Sequence, residues 1–219
     1  MIFRLLLLIL VLAALLFIPA GRLDWPEAWA FILGYSVFLA AYSLWVRRYD
    51  PEQLKERSRT GENTKTWDKM ILGIYTALLL VLLIVCGLDG GRFGWAPLST
   101  WVRVLGWLAM VAAAGLVWWT ASVNTFLSRT VRIQEERGQR VITDGPYRYV
   151  RHPMYTGVIL FVLSIPAVLG SGWGMAVGVV IGVVFVIRTA LEDRTLRAEL
   201  PGYKEYAQQT RYRLLPRIW

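Results

Sequence analysis

The chain has 219 residues, of which 56% are hydrophobic and 18% charged, with a net charge of +9. A soluble globular protein carries about 25% charged residues, so this composition excludes both a soluble enzyme and a disordered chain. Eleven Trp and ten Tyr are typical of a protein that meets membrane interfaces. The single cysteine, Cys86, excludes a disulfide scaffold. The composition therefore indicates a membrane protein.

Six apolar segments have the length of a membrane-spanning helix, about 17–25 residues. They are residues 3–20, 26–46, 69–89, 98–122, 154–170 and 172–190. No small-residue cleavage site follows the first segment, so it is predicted to be a retained helix and not a signal peptide. The sequence thus predicts an all-α polytopic membrane protein with about six transmembrane helices.

Lysine and arginine concentrate in three stretches that alternate with the apolar segments. The stretches contain Arg47, Arg48, Lys55, Arg57, Arg59, Lys65 and Lys69; Arg129, Arg132, Arg137, Arg140, Arg148 and Arg151; and Arg188, Arg194, Arg197, Lys204, Arg211, Arg213 and Arg217. The positive-inside rule then places both termini and both long loops in the cytoplasm. Membrane orientation accounts for the net charge, so no nucleic-acid partner is expected. The compact chain favours a prokaryotic inner membrane.

The last two apolar segments are predicted to form a hairpin. A tight Gly170-Ser171-Gly172 turn joins them, and Gly174, Gly178 and Gly182 lie four residues apart on one helix face. Small residues at this spacing allow two helix backbones to approach closely in lipid. The alternative use of this face is a seam between two copies of the chain.

Residues 141–157 are the first candidate site. Pro153 is predicted at the first position of a helix, where its missing donor costs nothing. Backbone donors at that helix start, together with Arg148, Arg151 and His152, would form a pocket suited to a carboxylate or phosphate. A basic juxtamembrane loop would explain the arginines, but it does not explain the tyrosines and glycines between them.

A second cluster lies near the end of the last apolar segment. Arg188 and Glu192 are four residues apart, hence on one helix face, and Asp193 adjoins them. They could form a simple ion pair at a helix end, whereas an ionisable group near the membrane boundary is a functional candidate. The hairpin brings this cluster to the same membrane side as residues 141–157, so the sequence predicts one cytoplasmic pocket.

Three motifs together resemble the isoprenylcysteine carboxyl methyltransferase family and the related phospholipid and thiol methyltransferases. They are Gly145-Pro-Tyr-Arg-Tyr-Val-Arg-His-Pro-Met-Tyr-Thr-Gly157, Arg188-Thr-Ala-Leu-Glu-Asp193 and Gly202-Tyr-Lys-Glu-Tyr206. The resemblance covers about residues 120–216, and residues 56–68 are weakly similar to bacterial members. It implies an integral membrane enzyme that uses S-adenosylmethionine. The chain would then divide into N-terminal transmembrane helices with a cytoplasmic loop (1–97) and a catalytic core with a cytoplasmic tail (98–219).

The resemblance also implies the roles of individual residues. Contacts to the cofactor are implied for Gln134, Gln139, Arg140, Val141, Ile142, Tyr147, His152, Pro153, Met154, Tyr155 and Glu192. Arg188 takes the place of the arginine near the methyl acceptor, and Arg188 and Glu192 would be catalytic. Gln139 departs from the family, which often has His there, and Asp193 replaces a usual Glu.

This chemistry suits a lipophilic or prenylated acceptor that enters from the surrounding membrane lipid. Glu192 would offset a positive group of the cofactor, and Arg188 would orient an acceptor carboxylate by paired hydrogen bonds. Carboxyl O-methylation of an isoprenylcysteine-like substrate is the predicted reaction. A thiol or amine acceptor would instead need its proton removed, by Glu192 or a tyrosine.

Two other functions fit part of the pattern. Membrane sterol reductases that use NADPH are similar in the Arg-His-Pro segment, but they typically have Asn where Met154 stands. A membrane binding protein without catalysis could keep the same pocket. No metal ion and no obligatory protein partner is expected.

Overall fold

The computed structural model of the protein describes residues 2–58 and 64–219. Arg59, one of the basic residues of the first predicted cytoplasmic loop, lies outside these ranges. So does part of the segment 56–68 that resembles bacterial methyltransferases.

All six predicted apolar segments are helical. The helices are α1 (Ile2–Ala20), α2 (Pro26–Tyr49), α3 (Pro51–Ser58), α4 (Thr66–Cys86), α5 (Thr100–Val123), α6 (Pro153–Leu169), α7 (Gly172–Glu199) and α8 (Tyr203–Gln209), and α4 continues as a π-helical segment, Gly87–Phe93. Four of them, α2, α4, α5 and α7, are long and apolar enough to cross a membrane, while α1 and α6 contain shorter apolar helices. The described residues contain no β-strand. The predicted all-α fold of a polytopic membrane protein is confirmed.

Helix α7 extends well beyond its predicted end at residue 190. The charged residues that follow lower the hydropathy, but arginine, leucine and glutamate are good helix formers. Arg197 also donates to Asp193 one turn earlier, at 3.0 Å. The helix ends at Leu200-Pro201, where proline cannot continue it, and a sharp turn leads into α8. The extension carries Glu192 and Asp193 to the end of the helix bundle.

The predicted hairpin of α6 and α7 is present. The glycines on α7 face α6: a Cβ atom on Gly178 would lie 3.4 Å from Leu163, and one on Gly182 would lie 3.7 Å from Ile159. This face is therefore used within the chain, and the alternative seam between two copies is not needed to explain it.

A second close helix contact joins α5 to α6 and was not predicted. A Cβ atom on Gly106 would lie 2.7 Å from the Cβ of Ala167 and 3.0 Å from the amide nitrogen of Val168. Gly157 approaches Val117 in the same way. Helix α6 is thus held between α5 and α7.

The two long loops and the C-terminal tail meet at one end of the bundle. Buried Gln53 on α3 donates to the carbonyl of Asn124 at 3.1 Å. Arg132 forms an ion pair with buried Glu56 at 2.6 Å. These contacts cross from residues 1–97 to residues 98–219, so both predicted parts of the chain build this end of the molecule.

Candidate functional site

A cleft at this end lies between the loop after α5, the start of α6, the end of α7, and α8. It encloses about 800 Å³ of space, a volume that includes its open mouth. Nine of the predicted cofactor residues line it: Gln139, Arg140, Val141, Ile142, Tyr147, His152, Met154, Tyr155 and Glu192. Residues that were not predicted also line it, among them Asn124, Phe126, Tyr203 and Tyr206.

Glu192 and Tyr155 connect the two motif clusters. The Tyr155 hydroxyl donates a hydrogen bond to the Glu192 carboxylate. The ring of Tyr155 is nearly parallel to that of His152, with an interplanar angle of 2° and centroids 5.9 Å apart. The start of α6 and the end of α7 therefore converge on one site, and Glu192 is the acidic side chain that this site presents to the cleft.

Asp193 is buried and organises the residues behind the cleft. It accepts hydrogen bonds from Arg151 at 2.7 Å, from Arg213 at 3.1 Å and from the Tyr203 hydroxyl at 3.1 Å. The His152 Nε2 lies 3.4 Å from the same carboxylate. Asp193 thereby joins the loop before α6, helix α8 and the tail, and it holds the His152 ring in place.

Several donors of the predicted anion pocket at the start of α6 have partners within the chain. The amides of Arg151 and His152 donate to the carbonyls of Tyr212 and Arg213, both at 2.9 Å. The Arg151 guanidinium is bound to Asp193 and to tail carbonyls. The tail thus occupies several donors that the sequence assigns to a ligand. The sequence does not predict this contact, because nothing in the local pattern shows that residues 60 positions away return to this helix start.

Three tyrosines form one wall of the cleft. The Tyr147 hydroxyl accepts from the Asn124 amide at 2.6 Å, and the Tyr206 hydroxyl donates to the Tyr147 carbonyl at 2.7 Å. Burial raises the pKa of Tyr147, Tyr203 and Tyr206, and the charge of Asp193 raises the pKa of Tyr203 further. These phenols therefore stay protonated at neutral pH and act as hydrogen-bond donors or acceptors, not as bases.

Gln134 and Pro153 are placed near the cleft but do not line it. Gln134 is buried. Its backbone amide donates to the Gln139 side chain at 2.7 Å, and its side-chain amide donates to the Phe126 carbonyl at 2.6 Å. It thus shapes the loop that presents Gln139. Pro153 is buried as the first residue of α6.

Arg188 lies outside the cleft lining and pairs with Asp68, not with Glu192. Its Nε donates to Asp68 at 2.8 Å, and its Nη2 donates to Asp68 at 3.3 Å and to the Arg129 carbonyl at 2.8 Å. The guanidinium carbon lies 5.1 Å from the centre of the Tyr155 ring. In the described part of the chain only Nη1 is left without a hydrogen bond, so the predicted paired hydrogen bonds to an acceptor are not open to Arg188 in this arrangement.

Asp68 is the functional candidate that the sequence did not reveal. It is fully buried at the start of α4 and also accepts from the Val131 amide at 2.7 Å. A buried carboxylate near the membrane boundary is a signal for function. Its partner Arg188 is 120 positions away in the chain. Nothing in the sequence shows that the two residues meet in the fold.

A second, apolar cavity lies in the bundle among α1, α2, α4, α5 and α6. It encloses about 880 Å³ including its mouth and is lined by Leu8, Leu12, Phe31, Tyr35, Phe38, Leu39, Tyr75, Leu79, Leu83, Ala114, Val117, Val158, Phe161, Val162 and Ile165. Helix α6 passes both spaces, since Tyr155 lines the cleft and Val158 lines the cavity. Phe185 lies between them, with its ring 5.5 Å from Tyr155 and 5.0 Å from Tyr75.

Comparison with known proteins gives two findings. Residues 101–200 match the family described as phospholipid methyltransferase. The chain is also 30% identical over 143 residues to the cobalt-zinc-cadmium resistance protein CzcN of Cupriavidus metallidurans, a match that covers 60% of this chain and 58% of that relative.

The family match confirms the predicted resemblance for the segment that contains α5, α6 and α7. This match covers just under half of the 219 residues. Together with the four helices that are long and apolar enough to cross a membrane, this match supports an integral membrane protein.

Proposed function

We propose that the protein is an S-adenosylmethionine-dependent methyltransferase that acts on a lipophilic acceptor. The observation that carries the proposal is the position of two spaces along α6, a polar cleft with Glu192 and an apolar cavity within the bundle. The first suits a water-soluble cofactor and the second suits a lipid chain. Methyltransferases of the matched family generally use S-adenosylmethionine.

The side chains of the cleft fit this cofactor, which has cationic groups, a carboxylate and an adenine ring. Glu192 would offset a positive group and Arg140 would attract the carboxylate. Met154 and Leu196 offer apolar surface to the ring. When bound, the cofactor supplies an electrophilic methyl group.

The protein's contribution to methyl transfer would be alignment and exclusion of water. The buried Asp68–Arg188 pair and the Tyr155–Glu192 pair fix the groups between the cleft and the cavity. Nη1 of Arg188 can give an acceptor one hydrogen bond while Asp68 and the Arg129 carbonyl keep the other donors.

Carboxyl O-methylation of an isoprenylcysteine-like lipid is our candidate reaction. A carboxylate acceptor needs no general base, and the tyrosines of the cleft wall stay protonated because burial raises the pKa of Tyr147, Tyr203 and Tyr206. The apolar cavity can hold a chain whose head group ends near Tyr155. The membrane lipid itself is the medium from which such an acceptor would enter.

The test is transfer of a labelled methyl group from S-adenosylmethionine into material that organic solvent extracts. N-acetyl-S-farnesylcysteine and phosphatidylethanolamine vesicles serve as acceptor probes. The proposal predicts label on the farnesyl probe that alkali releases as methanol, and its loss by at least tenfold in Glu192→Gln. Glu199→Gln, on the same helix outside the cleft, is the matched control and should keep full activity. Alkali-stable label on the phospholipid would show that the acceptor is an amine and not a carboxylate. The absence of transfer to either probe would contradict the proposal.

A further inference from the structure

The apolar cavity contains two polar side chains, Tyr35 on α2 and Tyr75 on α4. Ring contacts fix both of them. Tyr35 stacks on Phe31 with an interplanar angle of 5° and lies 5.3 Å from Phe161. Tyr75 meets Phe185 edge to face at 5.0 Å. The positions of the two hydroxyl groups are therefore set by the surrounding aromatic rings.

Neither hydroxyl has a hydrogen-bond partner in residues 2–58 and 64–219. Tyr42, two turns after Tyr35 on α2, shows the contrast, because its hydroxyl contacts the Gln53 side chain at 3.1 Å. A hydroxyl without a partner in an apolar environment costs about 1–3 kcal/mol. A polar group at membrane depth is a candidate for function for this reason. The other residues that line the cavity are apolar and offer no side-chain partner.

The cavity is also placed to serve the methyl-transfer site. Tyr75 and Tyr155 both contact the ring of Phe185, with ring centroids 5.0 and 5.5 Å from it. Arg188 lies 5.9 Å from that ring as well. A chain that fills the cavity would thus run from the centre of the bundle toward the groups that flank the cleft.

We propose that the cavity holds the chain of the methyl acceptor and that Tyr35 and Tyr75 donate hydrogen bonds to a polar atom within that chain. The acceptor would then be a lipid whose apolar chain contains a hydrogen-bond acceptor, such as an ether or ester oxygen or a thioether sulfur. The identification of this lipid as the methyl acceptor rests on the proposed function, but the binding of such a chain is independent of methyl transfer.

The test compares chains of equal length in the full-length protein in detergent. Heptadecane, dioctyl ether and dioctyl sulfide differ only in a central methylene, oxygen or sulfur, and each displaces a fluorescent fatty-chain probe. One hydrogen bond contributes about 0.5–1.5 kcal/mol, so the ether should bind about two- to twelvefold tighter in wild type, relative to heptadecane, than in Tyr35→Phe/Tyr75→Phe. The sulfide arm shows whether a thioether is recognised in the same way. Heptadecane should bind equally to both proteins.

A second pair of variants locates the bound chain. Ala114→Phe fills the cavity from α5 and should abolish displacement by every chain, whereas Val111→Phe on the lipid-facing side of α5 should change nothing. Equal ether-to-alkane ratios in wild type and the double Phe variant would overturn the role of the hydroxyls. Unchanged binding in Ala114→Phe would overturn the cavity as the binding site. Because no cofactor is present, either failure leaves the methyltransferase proposal to its own test.

Discussion

Arg188 and Asp68 are the residues whose pairing changes the interpretation of the site most. Both are buried, with side-chain exposures of 6% and 0%. The Lys65–Glu199 pair lies at the same end of the molecule but is exposed, at 34% and 41%. An exposed pair contributes at most ~1 kcal/mol, whereas removing one partner of a buried pair leaves an uncompensated charge.

Asp68→Ala is therefore expected to lower the free energy of unfolding by about 3–5 kcal/mol. Asp68→Ala/Arg188→Met removes both charges and should recover most of this loss without restoring methyl transfer. Unfolding in mixed micelles, followed by circular dichroism, measures the stability. Lys65→Ala is the control, with an expected loss below ~1 kcal/mol. A double variant as unstable as Asp68→Ala would contradict the pairing as the cause.

The sequence predicted part of this site and not the rest, for a physical reason. Tyr155 lies at the start of α6 and Glu192 lies near the end of α7. A short turn joins these two helices, so the hairpin alone brings the two residues together. The pairing of Asp68 with Arg188 depends on how α4 packs against α7. The use of the α6 start by the tail carbonyls likewise depends on tertiary structure, which no local pattern encodes.

Close backbone contacts between helices position the elements that carry the site. Gly106 on α5 meets α6 at the backbone, whereas Gly115, nine residues later on α5, has no atom within 4 Å of an added Cβ. In a membrane, where packing and not the hydrophobic effect drives helix association, such contacts matter.

Gly106→Ala is expected to destabilise the protein by about 1–3 kcal/mol, because the added methyl group overlaps Ala167 and the backbone of α6. Gly115→Ala on the same helix should be neutral or slightly stabilising, since alanine is the better helix former. Thermal unfolding in detergent compares the two variants. Equal melting temperatures for both would show that α5 and α6 do not approach as closely as described.

Helix positions were predictable from hydropathy, but helix ends were less so. The apolar run of α7 stops near Arg188, yet the helix continues to Glu199 because its charged residues are helix formers with partners in the loops and tail. The π-helical segment Gly87–Phe93 after α4 had no counterpart in the sequence interpretation. Its buried Asp89 accepts hydrogen bonds from Ser171 and the Ala96 amide, so it too depends on distant residues.

At the scale of the whole molecule, the basic loops and the tail lie at the end that contains the cleft. The opposite end has short connections, such as the one between α1 and α2. We propose that the cleft faces the cytoplasm of a prokaryotic inner membrane, with both termini on that side, since the positive-inside rule gives this orientation.

Cysteine labelling tests this orientation. Asp24→Cys, with a side chain 85% exposed in the parent protein, should react with a membrane-impermeant maleimide in intact cells. Exposed Lys204→Cys in α8 should react only after the cells are permeabilised. The native Cys86 is buried and should stay unlabelled in both conditions. Labelling of Lys204→Cys in intact cells would reverse the orientation.

The most direct test of the methyltransferase proposal is calorimetric titration of the purified protein with S-adenosylhomocysteine, with NADPH titrated in parallel. We expect S-adenosylhomocysteine to bind and NADPH not to bind. Glu192→Ala should weaken binding by at least about tenfold, because a charge-assisted contact contributes about 1.5–3 kcal/mol, while Glu199→Ala should bind like wild type. Equal affinities of wild type and Glu192→Ala, or binding of NADPH alone, would contradict the cleft as a methyltransferase cofactor site.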